Sequence, residues 1–496
     1  MGQSAETDPA ATTGYWRARR AWSRQPVALL ALVALAHGLS PLVLLGPHWG
    51  LGIDESIYLS QINAHVPAGL FSAPRARGTT LLAAPVTVLT DSTAAVRVWL
   101  AVLSAFGLFM AYRPWLRIHN GYVVVLAALL FSSIWSVTYY GFEAMPNEWV
   151  ALTVVAATGH AVAFLRDGRG RHLVWVIGAM TLMALLRPSD AGWAAGGLVA
   201  ACAIVQAPRR LRLRAGSAVA TGALLGAVEW VVEAYTRFGG LGARIHAAQA
   251  EQGGGGLHFS GLAQARSLAG PLLCRAGCQA HASAIFWSWW VVGAALTVIA
   301  VGFGRRRFRQ GPDLIVLIVA TAATAQYVFT VGYAAPRFLI PGYALLALPC
   351  ASAVIGLSAR VRAGRARFAL ISALVGCLLT HVAIQVDVVL SHVKPSVARF
   401  DRQMRADAVA LYALGVRQPC VVLGQPSWNE ALAYAARCRN VPMSAVSVQK
   451  LMQQGSHVVW LGPSAPPVRY GSAWQQVTLP GASPSNSQTA YLGVSP

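Results

Sequence analysis

Long runs of apolar residues alternate with short polar or Arg-rich segments from about residue 27 to residue 390. An apolar run of about 20 residues can cross a lipid bilayer as a helix. The pattern therefore predicts an α-helical polytopic membrane protein with about eleven transmembrane helices. Their predicted bounds are 27–46, 93–112, 121–139, 148–165, 173–186, 191–207, 215–235, 284–303, 313–332, 338–357 and 369–390.

The pattern changes after residue 390. "PCVVLG" and "HVVWLG" are short runs rich in β-forming residues, and "SWNEALAYAARC" between them has the periodicity of a helix. This order predicts a small α/β domain over 391–496, beside a transmembrane domain over 1–390. The last stretch, "GASPSNSQTAYLGVSP", is polar and rich in turn residues, and it is predicted to be ordered only in part.

Arg-rich clusters occupy the N-terminal tail and every second connection between the predicted spans. They are "WRARRAWSR", "RPWLR", "RDGRGR", "RRLRLR", "RRRFR" and "RVRAGRAR". Because basic connections stay on the cytoplasmic side, the pattern predicts a plasma-membrane protein whose N-terminus is cytoplasmic. The opposite connections then face outward: a first extracytoplasmic loop over 47–92, a large loop over 236–283, and the C-terminal region 391–496.

The composition supports this class of protein. Of 496 residues, 56% are hydrophobic and only 11% are charged, whereas a soluble domain has about 25% charged residues. A net charge of +22 would suggest a nucleic-acid partner in a soluble chain. Here the basic residues are nearly all arginines at the ends of predicted spans, so no nucleic-acid partner is predicted. The heavy use of Arg and Ala suggests a bacterial chain of high GC content.

Four cysteines fall in the predicted extracytoplasmic segments, where disulfides form. Cys274 and Cys278 are predicted to form one disulfide, and Cys420 and Cys438 a second. The alternatives are a chance pair in a loop and a pair of buried thiols. No trio of ligands has metal-binding spacing, since His65 and His258 are interpreted as loop residues. We therefore expect no cofactor and no metal site, although a divalent metal stays an open alternative.

Charged residues at the outer ends of the spans are the candidates for function, because a charge at the edge of a bilayer is costly without a partner. They are Asp54, Glu55, Arg75, Arg77, Glu143, Glu148, Arg187, Asp190 and Arg337. All are predicted at one membrane level on one side, as a single site requires. An arginine there suits a phosphate, because its planar donors grip phosphate oxygens in pairs.

Four short motifs resemble those of the GT-C superfamily of membrane glycosyltransferases, in the branch of protein O-mannosyltransferases and lipid A aminoarabinose transferases. "DESIYL" places an Asp-Glu pair before an aromatic residue, Tyr58, at the start of the first outer loop. "FEAMPN" follows the third span, and "LLRP" follows the fifth. "PRFLIPGY" begins a late span. The resemblance extends over residues 27–390.

The resemblance implies an inverting glycosyltransferase of the cell envelope. It would move a sugar, such as mannose or arabinose, from a polyprenyl-phosphate donor to an acceptor hydroxyl on the extracytoplasmic face. The acceptor would be a glycan, a lipid, a protein or a secreted metabolite. Asp54 is expected to be the general base, with Glu55 as a second catalytic candidate. The expected substrate-binding residues are Tyr58, Arg75, Arg77, Glu143, Arg187 and Arg337.

Each assignment has an alternative. Asp54 would also suit a helix cap, and Glu55 would suit a residue that orients the base, binds acceptor or favours a helix N-terminus. Glu143 would suit a solvated loop, and Arg187 and Arg337 would suit contacts with lipid headgroups. The alternative functions are a transporter or flippase of lipid-linked sugars and a non-catalytic membrane scaffold. Acids at span ends, and no visible repeat, disfavour the transporter.

Overall fold

The structure is a computed structural model that describes residues 24–275, 278, 284–303, 311–424, 428–441, 445–462, 464–466, 474–481 and 488–493. The Arg clusters before residue 24 and at 305–309 lie outside these residues. The helices are α1 (Arg24–Leu44), α2 (Ile53–Ser60), α3 (Gly78–Thr87), α4 (Thr93–Tyr112), α5 (Gly121–Ser132), α6 (Trp135–Tyr140), α7 (Pro146–Asp167), α8 (Arg171–Leu186), α9 (Pro188–Ile204), α10 (Arg209–Arg237), α11 (Leu241–Glu251), α12 (Gly261–Ser267), α13 (Ala284–Phe303), α14 (Pro312–Phe329), α15 (Ile340–Arg360), α16 (Arg365–Asp387), α17 (Lys394–Ala413), α18 (Asn429–Ala435) and α19 (Ala445–Gln453).

The structure contains helices that can cross a membrane, and the chain is a multi-pass membrane protein. Within the described residues, eight helical segments are long and apolar enough to cross a membrane. They are Arg24–Leu44, Thr93–Arg117, Pro146–Asp167, Arg209–Arg237, Ala284–Gly302, Pro312–Phe329, Pro336–Arg360 and Arg365–Ala413. The other three predicted spans coincide with shorter helices, so the number eleven is not established.

The predicted span 121–139 is broken into α5 and α6, for a local reason. The hydroxyls of Ser132 and Ser133 donate to the backbone oxygens of Leu129 and Leu130, a contact that competes with helix propagation. After the break, the Trp135 N–H donates to Gln385 Oε1 at 2.8 Å. A buried helix start therefore takes its acceptor from a residue far along the chain.

The chain forms two compact units. The first comprises residues 1–39, 103–138 and 146–386. In it, α8 packs between α7 and α10, α9 packs on α14, and α15 packs on α5, α7, α13 and α14. Small residues allow the closest approach: a Cβ added at Gly222 of α10 would lie 2.5 Å from the backbone oxygen of Ile177. Such contacts are typical of helix packing in membranes.

The second unit comprises residues 40–102, 139–145 and 387–496. It contains α2, α3, α17 to α19, and a five-stranded sheet. The strands are β1 (Cys420–Gly424), β2 (Arg439–Asn440), β3 (His457–Leu461), β4 (Trp474–Leu479) and β5 (Gln488–Gly493). Their order is β2-β1-β3-β5-β4, with β1 parallel to β2 and β3, and β5 antiparallel to β3 and β4.

The predicted strand, helix and strand of the C-terminal region are confirmed as β1, α18 and β3. The prediction missed β4 and β5, and β5 lies inside the stretch predicted to be ordered only in part. The sheet covers a core that includes Leu411, Val422 and Leu432. Ile53 of α2 packs against this core, and α18 packs on α2. The C-terminal region thus supports the helix that begins the first predicted outer loop.

Candidate active site

Helix α2 carries the two acids at its first turn. Gly52 is the N-cap residue, so Asp54 does not cap the helix. The Gly52 N–H donates to Glu55 Oε2 at 2.8 Å, so Glu55 satisfies one of the unpaired backbone donors at the helix start. One helical step of about 100° separates the two side chains, and it gives them different surroundings. The Asp54 side chain is 32% exposed, whereas Glu55 is 1% exposed.

Glu55 is bound to a fully buried arginine that the sequence analysis missed. Arg97 Nη1 donates to Glu55 Oε1 at 2.5 Å, and Arg97 Nη2 donates to Glu55 Oε2 at 2.8 Å. Glu55 Oε1 also accepts the Ala144 N–H at 2.7 Å. Arg97 in turn donates to the backbone oxygens of Trp49, Gly50 and Phe142. Burial tends to raise the pKa of Glu55, but its attraction to Arg97 and the hydrogen bonds from Arg97, Glu143 and the Gly52 N–H hold the pKa below its ordinary value.

Glu143 also lies beside Arg97, but its pKa is shifted in the opposite direction to that of Glu55. Its Oε1 is 3.5 Å from Arg97 Nη2, and its side chain is 3% exposed. Burial raises the pKa of Glu143 well above its ordinary value, Arg97 partly offsets this, and the nearby charge of Glu55 raises it further. Two carboxyls therefore share one guanidinium, with the pKa of Glu55 below its ordinary value and the pKa of Glu143 above it. The solvated loop position considered for Glu143 is not what the structure shows.

The arginines of the first predicted outer loop contact α2. Arg75 Nη2 donates to Asp54 Oδ1 at 2.5 Å, and its guanidinium lies 6.0 Å from the centre of the Tyr58 ring. Arg77 Nη1 donates to Gln61 Oε1 at 2.8 Å. Its guanidinium lies 3.8 Å from the centre of the Phe71 ring. Asp54, Tyr58 and Arg75 thus form one local group in the second unit.

Arg187 belongs to a separate group in the first unit. It lies between α8 and α9 in an extended conformation, as expected for a residue before proline. Its Nε is 3.3 Å from Asp190 Oδ2, and Asp190 Oδ1 accepts from Gln326 Nε2 and the Tyr327 hydroxyl at 2.5 and 2.6 Å. Asp190 is 3% exposed. Its neutral donors compensate for the burial of its charge.

Arg337 joins this group through aromatic rings. The guanidiniums of Arg187 and Arg337 lie 5.9 and 5.4 Å from the centre of the Phe338 ring, which stacks on Tyr327 at 4.4 Å. Arg337 Nη1 donates to the Leu272 backbone oxygen at 3.4 Å. The structure therefore brings the two predicted phosphate-binding arginines together around one aromatic pair.

Comparison with known proteins tests the fold. No family model and no curated protein matches the sequence. The structure of ArnT from Cupriavidus metallidurans bound to undecaprenyl phosphate matches with a TM-score of 0.59 and 13% identity, over 95% of this chain and 99% of that chain. The structure of the same ArnT in the apo state matches with a TM-score of 0.59 and 14% identity, over 98% of this chain and 99% of that chain. The chain has the GT-C fold.

A second GT-C protein supports this. The archaeal oligosaccharyltransferase AglB from Archaeoglobus fulgidus, in complex with an inhibitory peptide and a dolichol-phosphate, matches with a TM-score of 0.55 and 12% identity. The match covers 88% of this chain and 69% of that chain. The predicted resemblance to the GT-C superfamily is thus confirmed at the level of the fold.

Both predicted cysteine pairs are disulfides. Cys274 bonds to Cys278, and Cys420 bonds to Cys438. Cys274 also exchanges backbone hydrogen bonds with Ala334, three residues before Arg337. The first disulfide therefore closes a tight loop beside the Arg337 group, and the second ties β1 to the segment that enters β2.

A buried polar group within the membrane helices was also missed. His37 Nε2 lies 2.6 Å from Glu148 Oε1, and the Ser104 hydroxyl contacts both at 2.8 and 2.6 Å. All three residues are buried. Glu148 was a candidate because of its place beside the "AMPN" segment. The overlooked signal was His37, a histidine in the first apolar run.

The first unit also contains a large, partly open apolar cavity of about 1360 Å³. Residues of α5, α13, α15 and α16 line it, with Trp289, Tyr343 and His381 among the few polar groups. Within the described residues, no group of three or more His, Cys, Asp or Glu could hold a metal ion. The absence of a cofactor stays a prediction.

Proposed function

We propose that this protein is an inverting glycosyltransferase that uses a polyprenyl-phosphate-linked sugar as donor and an acceptor hydroxyl on the extracytoplasmic face. The observation that carries the proposal is the match along 99% of an ArnT chain whose structure contains undecaprenyl phosphate. The residues at α2 supply a chemistry that fits it.

Asp54 is the proposed general base. It is the more exposed of the two acids, and Arg75 fixes one of its oxygens. In a single displacement, the acceptor oxygen attacks the anomeric carbon, the bond from that carbon to the phosphate oxygen breaks, and the hydroxyl proton passes to Asp54. The polyprenyl phosphate leaves with the bond electrons. It already carries charge, so no second acid has to protonate it.

Glu55 and Arg97 are proposed as positioning residues. The Glu55 carboxylate accepts hydrogen bonds from the Gly52 N–H, the Ala144 N–H and Arg97. Arg97 also donates to the Phe142 oxygen, so these bonds hold the start of α2 against residues 142–144. This arrangement favours the alternative in which Glu55 orients the base. A general base must lie about 2.6–3.2 Å from the oxygen whose proton it accepts. Fixing the start of α2 helps to hold Asp54 at that distance.

The donor is proposed to bind with its phosphate at Arg187 and Arg337. Both guanidiniums lie against Phe338, and planar guanidiniums bind phosphate oxygens in pairs. The lipid chain is assigned to the apolar cavity of the first unit, whose lining suits an isoprenoid. Tyr58, Arg75 and Arg77 are proposed to shape the sugar and acceptor side.

The outward orientation rests on the Arg clusters in alternate connections. Reporter fusions after Pro208 and after Gly415 should report opposite sides of the membrane, with Pro208 cytoplasmic. Matching sides would contradict the proposed orientation.

The function is tested by incubating the purified full chain with labelled polyprenyl-phosphate mannose, arabinose and other pentoses. Candidate acceptors are a glycan, a lipid, a protein and a secreted metabolite, each with and without a chelator. We expect transfer, or slow hydrolysis, of one donor. Movement of the donor across a vesicle membrane without any cleavage would indicate a flippase, and neither activity would indicate a scaffold.

A further inference from the structure

A second polar pocket lies in the first unit, at the ends of α4, α7 and α8 that are predicted to face the cytoplasm. Its volume is about 160 Å³. It is lined by Met110, Arg113, Pro114, Arg117, His160, Arg171, His172 and Trp175. None of these residues takes part in the proposed transfer, so the pocket needs its own explanation.

The wall that carries Arg113 and Arg117 is fixed by packing. These residues belong to the 3-10 turn Arg113–Arg117 that follows α4. Trp115 of this turn is fully buried, and its Nε1 donates to the Val155 backbone oxygen at 3.1 Å. A Cβ added at Gly159 of α7 would lie 2.7 Å from that nitrogen, so the glycine leaves room for the indole. The two arginines are therefore held against α7 by a buried anchor.

A pair of histidines forms the polar floor of the pocket. His160 Nδ1 and His172 Nδ1 are 3.0 Å apart, so one nitrogen donates and the other accepts. His172 is 3% exposed, and its Nε2 lies 3.3 Å from Asp167 Oδ2 without the geometry of a hydrogen bond. The His160 ring stacks on Trp175 at 5.6 Å. A buried imidazole nitrogen without a hydrogen-bond partner, such as His172 Nε2, is unusual and calls for an explanation such as a bound ligand.

The charges around this pocket are strongly unequal. Three arginines line it, and none of the described lining residues is acidic. Asp167 contacts the pocket through His172, but it also lies 3.7 Å from Arg169. All three arginines are exposed side chains. Arginine forks match phosphate oxygens, and basic pockets between membrane helices on the cytoplasmic side bind anionic headgroups.

We infer that Arg113, Arg117 and Arg171, with the His160–His172 pair, form a binding site for a phosphate group at the predicted cytoplasmic end of the first unit. The ligand is the phosphate of an anionic lipid headgroup or a free phosphate. Trp175, which is 52% exposed beside the pocket, gives an apolar rim of the kind found at the headgroup level. The inference does not depend on the proposed transferase activity.

The test measures binding to the purified full chain. Inorganic phosphate is titrated by calorimetry in a neutral detergent, and retention of phosphatidylglycerol against phosphatidylcholine is measured in nanodiscs of mixed composition. Arg113→Gln, Arg117→Gln and Arg171→Gln should each weaken binding by about fivefold, the effect of one basic residue near an anionic surface. Arg367→Gln, which removes an exposed charge from the N-terminal turn of α16, should leave binding unchanged.

The two arms distinguish the ligands. Phosphate binding that depends on the three arginines supports a site for free phosphate, and arginine-dependent retention of phosphatidylglycerol alone supports a headgroup site. Arg117→Lys retains the charge and should recover most of the affinity, while an unchanged melting temperature shows that each variant is folded. Binding of neither ligand, or equal losses in Arg367→Gln and the pocket variants, would overturn the inference.

Discussion

The Glu55–Arg97 pair of the second unit and the Asp190–Arg187 pair of the first unit both place an acid beside an arginine, but they hold their charges differently. Arg97 makes two short bonds to Glu55 and further bonds to three backbone oxygens, with no side-chain exposure. Arg187 lies 3.3 Å from Asp190, and its guanidinium faces two aromatic rings. The first arrangement buries a guanidinium among its hydrogen-bond acceptors, and the second places guanidiniums against ring faces. This difference underlies the proposed roles, which are support for Arg97 and phosphate binding for Arg187 and Arg337.

The largest expected effect is on stability, at Arg97. Arg97→Gln leaves the Glu55 carboxylate buried without its cation, which should destabilise the protein by about 3–5 kcal/mol. Unfolding of the purified chain in detergent measures this, with Arg367→Gln as the control for loss of an exposed charge. An unfolding midpoint equal to the wild-type value would mean that Arg97 does not hold the buried Glu55 carboxylate as described.

The next effect is on donor binding, at Arg337. Arg337→Ala should weaken the donor by about tenfold or more, because a charge-assisted hydrogen bond contributes about 1.5–3 kcal/mol. Arg337→Lys keeps the charge but loses the planar fork, and its loss should be intermediate. Donor affinity is measured with a labelled polyprenyl phosphate. If Arg337→Ala binds donor as tightly as wild type, Arg337 is removed from the site.

A smaller effect is expected at the ring between the two arginines. Phe338→Leu keeps an apolar side chain but removes the aromatic face, which contributes about 0.5–1 kcal/mol to each cation that it orients. Donor affinity should fall by about two- to fivefold, and the unfolding midpoint should also fall because Phe338 is buried in a core cluster with Tyr327. Unchanged donor affinity of the folded variant would remove the ring from the site.

The smallest effect is expected at Glu143. Because burial raises the pKa of Glu143 well above its ordinary value, Glu143→Gln, which keeps nearly the same shape, should lower stability far less than Arg97→Gln. A raised folded pKa gives stabilisation that is complete below the ordinary value of about 4.3 and is lost as the pH rises through the folded value. The wild-type protein should therefore lose stability as the pH rises through the folded pKa of Glu143, and the Glu143→Gln variant should not. A strongly destabilised variant at neutral pH would show that Glu143 is ionised.

The sequence pattern was sufficient for the membrane helices because each one requires a long apolar run. It was not sufficient for the break between α5 and α6. That break depends on two serine hydroxyls and on Gln385, which lies 250 residues from its partner Trp135. The strands β4 and β5 were missed because "WQQVTL" and "QTAYLG" carry few β-branched residues and little alternation.

For the candidate site, the sequence identified the Asp-Glu pair but not the different states of its members. Which of the two acids is buried depends on the face of α2 that each occupies. It also depends on the contact with Arg97, which lies more than 40 residues later in the chain. One signal was available: Arg97 is the only charged residue in "TAAVRVWLAVL", and a charge in an apolar run calls for a partner. The partner itself follows only from the tertiary structure.

The central claim is that Asp54 accepts the proton of the acceptor hydroxyl. The most direct measurement is turnover of Asp54→Asn at saturating donor, beside Glu55→Gln in the same assay. Asparagine keeps the shape of aspartate but cannot accept the proton, so turnover should fall by about 10²–10⁴ while donor binding and the unfolding midpoint stay near wild type. Glu55→Gln should instead lower the unfolding midpoint, with turnover per folded molecule reduced less. Wild-type turnover in Asp54→Asn would contradict the account.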